Sequence, residues 1–383
     1  KKYRNDGYIL TQVVVPPQTI EGGTARLQVV EGYVANVDVR GEGEFIDDAV
    51  MLARNYAALV RHDTQALNVK QLERTMLLIN DIPGISARGV LSPARGVAGA
   101  ADLTIIIERK RYEATLGVDN YGTKFLGPIQ VMAAGAINSL MGFNERITTQ
   151  IVYAPNSDLS DELIYLGLGY KMPIWKGGTF LDVNITNTMT DPGFRLDEFD
   201  VQGNSKTMSV MVGHPFIRSR NLNFTGRMGF DYRDVKTENN IEERRLDQVR
   251  VAVLGADVEF IDTLGGVGYN MWNFEVRQGI DVLDATEEND PNVSRVGANP
   301  DFLKLEIELQ RLQRIADRVN LLLGVKGQVS RDELFSSEEM GIGGMNYGRG
   351  YDPSEIIGDS GIAGKLEVQW NEPREWSFLE TYQ

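Results

Sequence analysis

The stretch NLNFTGRMGFDYRD, residues 221–234, alternates apolar or glycine positions with polar ones. The first set of side chains comprises Leu222, Phe224, Gly226, Met228, Phe230 and Tyr232. The second set is polar or charged and includes Asn223, Thr225, Arg227, Asp231 and Arg233. A period of two is that of a β-strand whose two faces meet different surroundings. The stretch therefore predicts a long strand, and we expect Phe224, Met228 and Phe230 to face the apolar side.

The same alternation continues through the rest of the chain from residue 111. We count twelve such segments, near residues 111–121, 127–138, 145–155, 162–172, 179–189, 205–215, 221–235, 246–260, 267–283, 301–315, 318–330 and 360–372. Many of them are longer than the roughly 5–6 residues of an ordinary soluble strand. Tight turns follow the even-numbered segments and long polar loops follow most odd-numbered ones, which is typical of an outer-membrane β-barrel. The prediction is a transmembrane antiparallel β-barrel, with a soluble antiparallel β-protein as the alternative.

The polar positions of the predicted strands indicate what fills the barrel. Charged residues alternate with apolar ones on several strands, so we expect a wet and ionic lumen rather than a packed one. The candidate lumen-facing residues are Arg227, Asp231, Glu275, Arg277, Glu306, Glu308 and Glu367.

Composition excludes several classes of function. The net charge is −15 with a pI near 4.8, whereas a nucleic-acid-binding surface needs clustered Lys and Arg. The sequence has no cysteine and two histidines, which excludes disulfides, thiol nucleophiles and cysteine metal sites. No run reaches the roughly 20 apolar residues of a membrane-spanning helix. No secretory signal opens the sequence, and we interpret both ends as cut.

Catalytic motifs do not fit this sequence. The stretch GDSGIAGKL, residues 358–366, departs from the phosphate-loop spacing and has Leu366 in place of the hydroxyl ligand. Neither a Gly-x-Ser-x-Gly elbow nor a His-Glu-x-x-His motif occurs. We therefore expect no enzyme activity, no cofactor and no metal.

Helical periodicity is confined to residues 36–110. The run EFIDDAVMLARNYAALV, residues 44–60, places Phe45, Ala49, Leu52, Tyr56 and Leu59 on one stripe. A second helix follows Asn68, a good N-cap, and ends before Pro83-Gly84. Strands precede and follow this pair, so the order strand-helix-helix-strand-strand predicts a small α+β domain.

Several stretches, taken in order, resemble one protein family. Residues 3–32, YRNDGYILTQVVVPPQTIEGGTARLQVVEG, resemble the end of a polypeptide-transport-associated (POTRA) domain of the haemolysin secretion/activation type. LERTMLLINDIPG at 72–84 is similar to the second helix of the next POTRA domain, and GVDNYGTKFLG at 117–127 to the first barrel hairpin. GRGYDPSEIIGDSG at 348–361 resembles the loop-and-strand motif of the wider outer-membrane protein-assembly superfamily. The family usually has Val where this chain has Gly348.

The resemblance implies a domain organisation. Residues 1–35 would be the C-terminal part of a first POTRA domain, 36–110 a second POTRA domain, and 111–383 a barrel with a long inward-folding loop at 332–359. The family's barrel has sixteen strands, so the twelve segments would be part of it.

The resemblance also implies roles for particular residues. In the family this loop folds back into the barrel and its arginine pairs with a carboxylate on the inner wall. The residues that match this loop motif are Arg349, Gly350, Tyr351, Gly358 and Asp359. A guanidinium suits this role because it makes forked contacts with carboxylates. The sequence does not distinguish Glu275, Glu306 and Glu367 as its partner.

A POTRA sheet offers an edge to which an extended peptide can add. The expected cargo-binding edge comprises Ile85, Ala87, Gly89, Val90 and Leu91, with the N–H of Val90 as one of its donors. Packing of this edge on a neighbouring domain or on the barrel mouth is the alternative.

The function implied is secretion of one dedicated partner protein, extended or unfolded during transit, without nucleotide hydrolysis. The location implied is the outer membrane of a Gram-negative bacterium, with the POTRA region in the periplasm. The remaining expected partners are the lipid bilayer and lipopolysaccharide, and the barrel is expected to be monomeric. A factor that inserts other barrels into the membrane is the alternative, and a passive porin would leave the POTRA region unexplained.

Overall fold

The computed structural model describes residues 2–19, 22–43, 46–60, 66–155, 161–241, 244–287 and 290–371. The chain begins with a short helix, α1 (Lys2–Asn5), and a two-stranded hairpin of β1 (Gln12–Val14) and β2 (Gln28–Val30). These two strands pair antiparallel, with Val13 opposite Val29. Within the described ranges, none of the helices combines the length and the hydropathy needed to cross a bilayer.

The next unit is an α+β domain with two helices on a three-stranded sheet. Its elements are β3 (Tyr33–Glu42), α2 (Asp47–Ala57), α3 (Val69–Asn80), β4 (Ile85–Pro93) and β5 (Ala100–Arg109). The sheet order is β3-β5-β4, with β3 parallel and β4 antiparallel to β5. Both helices bury one apolar face against the β5 side chains Leu103, Ile105 and Ile107. The predicted element order is confirmed, although the domain boundaries stay a prediction.

The two helices follow their sequence signals closely. The Asn68 side chain accepts a hydrogen bond from the Lys70 N–H at 3.0 Å, so it caps α3 as predicted. Ala49 and Tyr56 are buried in the predicted stripe of α2. The stripe is shorter than predicted because α2 ends at Ala57 and Leu59 is exposed. Phe45 lies outside the described residues.

Twelve antiparallel strands form one large sheet in which each strand pairs with its neighbour in the chain. They are β6 (Tyr112–Asp119), β7 (Gln130–Asn138), β8 (Arg146–Pro155), β9 (Asp161–Pro173), β10 (Phe180–Thr190), β11 (Gln202–Arg218), β12 (Leu222–Glu238), β13 (Arg245–Asp262), β14 (Gly268–Gly279), β15 (Leu303–Ala316), β16 (Val319–Ser330) and β19 (Gly361–Trp370). The predicted number and order of strands are confirmed. Among the described residues β6 and β19 form the two edges of the sheet.

The connections alternate as predicted. The turns 219–221, 263–267 and 317–318 are short and lie at the end of the sheet that contacts the α+β domain. The loops 280–302 and 331–360 at the opposite end are much longer. The longer one includes the small hairpin of β17 (Met340–Ile342) and β18 (Ile356–Gly358).

The two faces of the sheet separate as the alternation predicts. Met228 is 64% exposed on the outer face, and Phe224 stacks on Phe216 with ring centroids 5.6 Å apart. Arg227, directly before Met228 in the strand, points to the other face and pairs with Asp257. We assign the first face to lipid and the second to the lumen.

The lumen is more packed than the sequence predicted. Inward-facing Val249, Val251 and Val253 of β13 are buried under side chains from the two long loops. Those covering side chains are Ala298, Phe302, Leu334 and Phe335. The lumen is therefore packed where the loops carry their own apolar residues inward, next to the charged residues that the sequence predicted.

We expect an arginine to destabilise the barrel on the outer face far more than on the inner face of the same strand. Ile185 lies at the centre of β10 and is 46% exposed on the outer face, whereas Thr186 faces inward. Ile185→Arg should cost roughly 2–4 kcal/mol because the charge would lie near the bilayer midplane. Urea titration of protein refolded into lipid vesicles measures this cost. Thr186→Arg is the matched control, and equal costs would mean that the faces are wrongly assigned.

Candidate functional site

The segment 332–359 lies inside the barrel, where inward-facing side chains of several strands contact it. It begins with a 3-10 turn at Ser336–Glu338, continues through the β17–β18 hairpin and ends at Asp359. Gly343 and Gly348 both have positive φ angles, 131° and 118°. A Cβ on Gly343 would lie 2.0 Å from the Asp352 carbonyl oxygen, so this tight bend requires glycine.

The strongest anchor of the segment is Glu338, whose side chain is 2% exposed. Its carboxylate lies 3.0 Å from Arg233 Nη1, 2.9 Å from Lys304 Nζ and 3.6 Å from Arg277 Nε. These three cations come from β12, β15 and β14, so one side chain of the segment joins three strands of the wall. A buried carboxylate is stable only where such partners compensate its lost hydration.

The environment of Glu338 fixes its charge. Burial alone would raise its pKa, but the positive charges of Lys304, Arg233 and Arg277 outweigh burial and hold the pKa below its ordinary value. The residue therefore stays ionised at neutral pH.

Five of the predicted lumen residues belong to the surrounding ion-pair network. Arg277 Nη2 lies 2.7 Å from Asp231, and Arg227 lies 2.6 Å from Asp257 and 2.9 Å from Glu275. The fifth, Glu306, lies 2.7 Å from Lys304 Nζ. The lumen wall around the anchor is thus cross-linked by charge pairs across neighbouring strands.

A second anchor closes the other end of the segment. Arg295, in the loop 280–302, makes a forked contact with Asp359 through both terminal nitrogens, one of them at 2.9 Å. Asp359 also accepts the Leu334 N–H at 3.0 Å. The Arg295 hydrogen bond holds the pKa of Asp359 below its ordinary value. Asp359, which the family motif predicted as a site residue, thus pairs with Arg295. Arg295 belongs to no motif that the sequence analysis identified.

Arg349 contacts Glu367, one of the three carboxylates that the sequence left open. Its Nη2 lies 2.9 Å from Glu367 Oε1. The side chain of Arg349 remains 59% exposed, and its Nε reaches only the Met345 carbonyl oxygen at 3.4 Å. The closest contact joins one nitrogen of Arg349 to Glu367, and the forked contact stays a prediction.

The other motif residues have different surroundings. Tyr351 is 69% exposed, and a Cβ on Gly350 would meet no atom of the described residues within 4 Å. Gly358 is the last residue of β18. The motif thus marks the segment, but its members do not form one cluster.

Tyr347 is an anchor that the sequence did not indicate. Its hydroxyl donates to Glu308 Oε1 at 3.1 Å, and its ring lies 5.0 Å from Lys365 Nζ. Burial and the nearby Glu308 charge raise the pKa of Tyr347 to about 12, so it stays a neutral donor. No pattern separates Tyr347 or Glu338 from the other polar residues of the segment, which is why sequence reasoning missed both.

The predicted cargo-binding edge is an edge strand of the small sheet, because among the described residues β4 pairs with β5 alone. The Asn80 side chain already covers part of it: it donates to the Ala87 carbonyl and accepts the Ala87 N–H. Backbone groups alternate sides along a strand, so Gly89 and Leu91 point outward with Ala87. Val90 points toward β5, and the expectation that its N–H is an edge donor was wrong.

Helix α2 fastens the small domain to the barrel through Asp48. Its carboxylate lies 2.7 Å from Arg109 Nη1 and accepts a hydrogen bond from Ser139 Oγ in the first short turn. Burial would raise the pKa of Asp48, but these hydrogen bonds outweigh it and lower the pKa. Arg109 lies on β5 of the same domain, is 1% exposed and donates to Asn144 of that turn at 2.6 Å, so an ion pair inside the domain holds both side chains against the barrel.

The end of α3 forms a second junction at the barrel mouth. Asp81 receives a fork from Arg218 at 2.7 and 2.8 Å, and Arg74 donates to the Pro215 carbonyl at 2.8 Å. A cavity of about 550 Å³ lies between the two parts. Its lining includes Leu78 and Ile82 of the small domain and Lys171, Phe180, Asp257 and Glu308 of the barrel.

A large antiparallel sheet with a charged inner face, an inward-folded segment and a small α+β domain at its short turns defines an outer-membrane barrel protein with periplasmic domains. The family profile described as haemolysin secretion/activation protein ShlB/FhaC/HecB matches residues 102–382, and that of the ShlB-type POTRA domain matches residues 1–32. The chain belongs to the haemolysin secretion/activation family. It lies in the outer membrane of a Gram-negative bacterium, with the POTRA region in the periplasm.

Similar proteins agree with this membership. The heme/hemopexin transporter protein HuxB of Haemophilus influenzae strain 86-028NP is 23% identical over 377 residues, which cover 94% of this chain and 62% of the relative. The outer membrane transporter CdiB of Dickeya dadantii is 22% identical, with 96% of this chain and 64% of the relative covered. The chain thus spans about three fifths of the length of these relatives.

Solved structures share the fold. CdiB from Escherichia coli matches with a TM-score of 0.74 at 19% identity, over 96% of this chain and 67% of that one. BamA from Haemophilus ducreyi lacking POTRA domains 1–3 matches with a TM-score of 0.54 at 13% identity, over 98% and 75%.

The segment should stay anchored until the solution is more acidic than the ordinary pKa of a carboxyl group. Glu338 and Asp359 have lowered pKa values, so their stabilising contribution is complete above the ordinary values of 4.5 and 3.8 and is lost as pH falls through the lowered ones. Protease sensitivity of the segment in vesicles should therefore stay constant from neutral pH to about pH 5. A Glu355→Gln variant, which changes an exposed carboxylate of the same segment, should give the same profile. Release of the segment above pH 5 would contradict the assignment.

Lysine should replace Arg349 with little loss, because the closest contact with Glu367 is made by one nitrogen of a side chain that is 59% exposed. The pair is largely exposed on the arginine side, and exposed pairs contribute roughly 0.2–1 kcal/mol. Arg349→Ala should therefore loosen the segment modestly, and the swap Arg349→Glu with Glu367→Arg should restore it. Protease protection of the segment measures all three. A loss with lysine as large as that with alanine would show a forked contact in the membrane.

Proposed function

We propose that the protein secretes one dedicated partner protein through its barrel, without nucleotide hydrolysis, while the partner is extended or unfolded. The observation that carries the proposal is the ion-paired segment 332–359 inside the lumen, directly above a POTRA domain fastened to the mouth. A passive pore needs neither feature. Membership of the haemolysin secretion/activation family and the transporter names of its relatives support the same function.

The partner enters from the periplasmic side in this proposal. The outward backbone groups of Gly89 and Leu91 accept an added strand of the partner, and Met76 lies behind them, with its sulfur 3.2 Å from where a Cβ on Gly89 would be. The partner then passes the cavity at the mouth, which Leu78 and Ile82 line on the side of the small domain. The Asn80 cover of Ala87 limits the binding edge to the part of β4 beyond that residue.

The proposal also covers catalytic activity, cofactors, oligomeric state and the residues that position the segment. The protein carries no catalytic activity and needs no cofactor or nucleic acid. It works as a monomeric barrel whose acidic outer loops face lipopolysaccharide. Arg349, Gly350, Tyr351, Gly358 and Asp359 position the segment, with Glu338 as its main anchor.

A comparison of secreted proteins tests the function. The gene is deleted in its native host, and proteins in the culture supernatant, periplasm and outer membrane are quantified by mass spectrometry. We expect one large protein to disappear from the supernatant and to return when the full-length gene is restored. Loss of many outer-membrane barrels instead would identify an assembly factor, and an unchanged supernatant would contradict secretion.

A further inference from the structure

The two sides of the inner face differ in charge, apart from a charged row of Arg146, Lys171 and Asp182 at the short-turn end of β8 to β10. We define the neutral wall as three rows of paired, inward-facing residues that cross β6 to β11. The first row is Thr115, Ala134, Gln150, Gly167, Thr186 and Thr207. The second row is Glu113, Ala136, Thr148, Gly169, Asn184 and Ser209. The third row is Gly117, Met132, Val152, Tyr165, Thr188 and Ser205.

Only one of these positions carries a charge, and that charge is already paired. Glu113 receives a forked contact from Arg146, at 3.0 and 2.8 Å. The remaining side chains offer hydroxyls, amides, methyl groups or no side chain. The outward neighbours Leu116, Ile151 and Ile185 are exposed and apolar, which fixes the direction of the rows.

Charges begin where the first two rows reach β12, whereas the third row continues to Val235. Thr207 pairs with Arg233, and Ser209 pairs with Asp231. We define the ionic wall as the inward-facing charged residues of β12 and the strands that follow it. Its members include Arg227, Asp231, Arg233, Glu275, Arg277, Lys304, Glu306, Glu308, Lys326, Lys365 and Glu367.

The segment 332–359 uses the ionic wall for its anchors. Glu338, Tyr347 and Arg349 bind side chains of β12, β14, β15 and β19, as described above. On the opposite side Asp352 lies 3.8 Å from Lys124, which belongs to a loop and not to the wall. A groove of about 230 Å³ stays open along the neutral wall, lined by Thr115, Gln150 and Thr186 among others.

This division suits an extended polypeptide in transit. Hydroxyl and amide groups exchange hydrogen bonds with a passing backbone at a small net gain each. A wall charge would hold an opposite charge of the passing chain more strongly, because two charges attract each other over a longer range. A neutral surface therefore lets chains of varied sequence slide, whereas an ionic one retains the segment.

We propose that the secreted partner passes along the neutral wall while segment 332–359 stays bound to the ionic wall. The proposal rests on the secretion function proposed above. The partner is recognised here as an extended polypeptide, through its backbone and not through a particular sequence.

Site-specific photo-crosslinking in the full-length protein tests the proposal. Benzoylphenylalanine replaces Thr186 or Thr207 on the neutral wall, Lys326 on the ionic wall, or Ile185 on the lipid face. The probe is the protein identified by the supernatant comparison, carrying an epitope tag and pulse-labelled during export. Variants are compared only where barrel abundance and export equal those of the unmodified protein.

The expected result is adducts from Thr186 and Thr207 in several-fold excess over Lys326, with none from Ile185. Adducts from Lys326 that equal or exceed those from the neutral wall overturn the proposal but leave secretion intact. If the probe reaches the supernatant and no lumenal position forms an adduct, both the neutral wall and passage through this lumen are contradicted.

Discussion

Replacing Glu338 with alanine is expected to free segment 332–359 from the barrel wall. The change leaves Arg233, Arg277 and Lys304 without their shared buried partner. Breaking a buried ion pair from one side costs roughly 3–5 kcal/mol. The ratio of bound to free segment should therefore fall more than about a hundredfold. Single-channel conductance in planar bilayers should rise as the lumen opens, because the freed segment no longer fills it.

Glu355→Ala provides the control, since it removes an exposed carboxylate from the same segment. It should leave the conductance unchanged. Equal amounts of heat-modifiable barrel in the outer membrane show that each variant has folded. A Glu338→Ala barrel that conducts like the wild type would show that the apolar contacts of Leu334 and Phe335 hold the segment without the charge.

Replacing Asp48 with asparagine is expected to uncouple the POTRA region from the barrel. The change keeps the shape of the side chain but removes the charge that Arg109 neutralises in the interior. Arg109 keeps its hydrogen bond to Asn144 but loses its buried carboxylate partner, which again costs roughly 3–5 kcal/mol. Added protease should then cleave between residue 110 and the barrel faster, and secretion of the partner should fall while barrel abundance stays constant.

Asp47→Asn is the matched control, because Asp47 is the exposed neighbour in the same first turn of α2. It changes the net charge and the helix terminus in the same way but removes no interior pair. If both variants resist protease like the wild type, the junction depends on Asp81 and Arg218 instead.

The sequence predicted those features that depend on periodicity. Residues 221–234 alternate so regularly that β12 and its two faces followed from the pattern, and the other strands followed in the same way. The cap at Asn68 was predictable for a similar reason, because a helix N-terminus imposes a local chemical requirement. Patterns of this kind depend on residues that are close together in the sequence, so they can be recognised without the three-dimensional structure.

The anchors of the segment could not be predicted, because their partners lie far apart in the chain. Glu338 meets cations more than 30 residues away on three strands, and no spacing rule connects them. The family motif pointed to Arg349, whose contact is largely exposed. The apolar cluster around Val249, Val251 and Val253 of β13 was not predicted. These residues face inward, where the alternation suggested polar surroundings.

Thiol labelling in intact cells tests most directly whether the segment lies inside the lumen. The 383-residue sequence contains no cysteine, so an introduced thiol is the only one in it. Met340→Cys places a thiol at a position that is 4% exposed within the segment, and Ile241→Cys places one at a position that is 71% exposed in an outer loop. With a membrane-impermeant maleimide, we expect rapid labelling at position 241 and protection at position 340, with protection lost when Glu338→Ala is added. Labelling of both positions at the same rate in the otherwise unchanged protein would contradict the account.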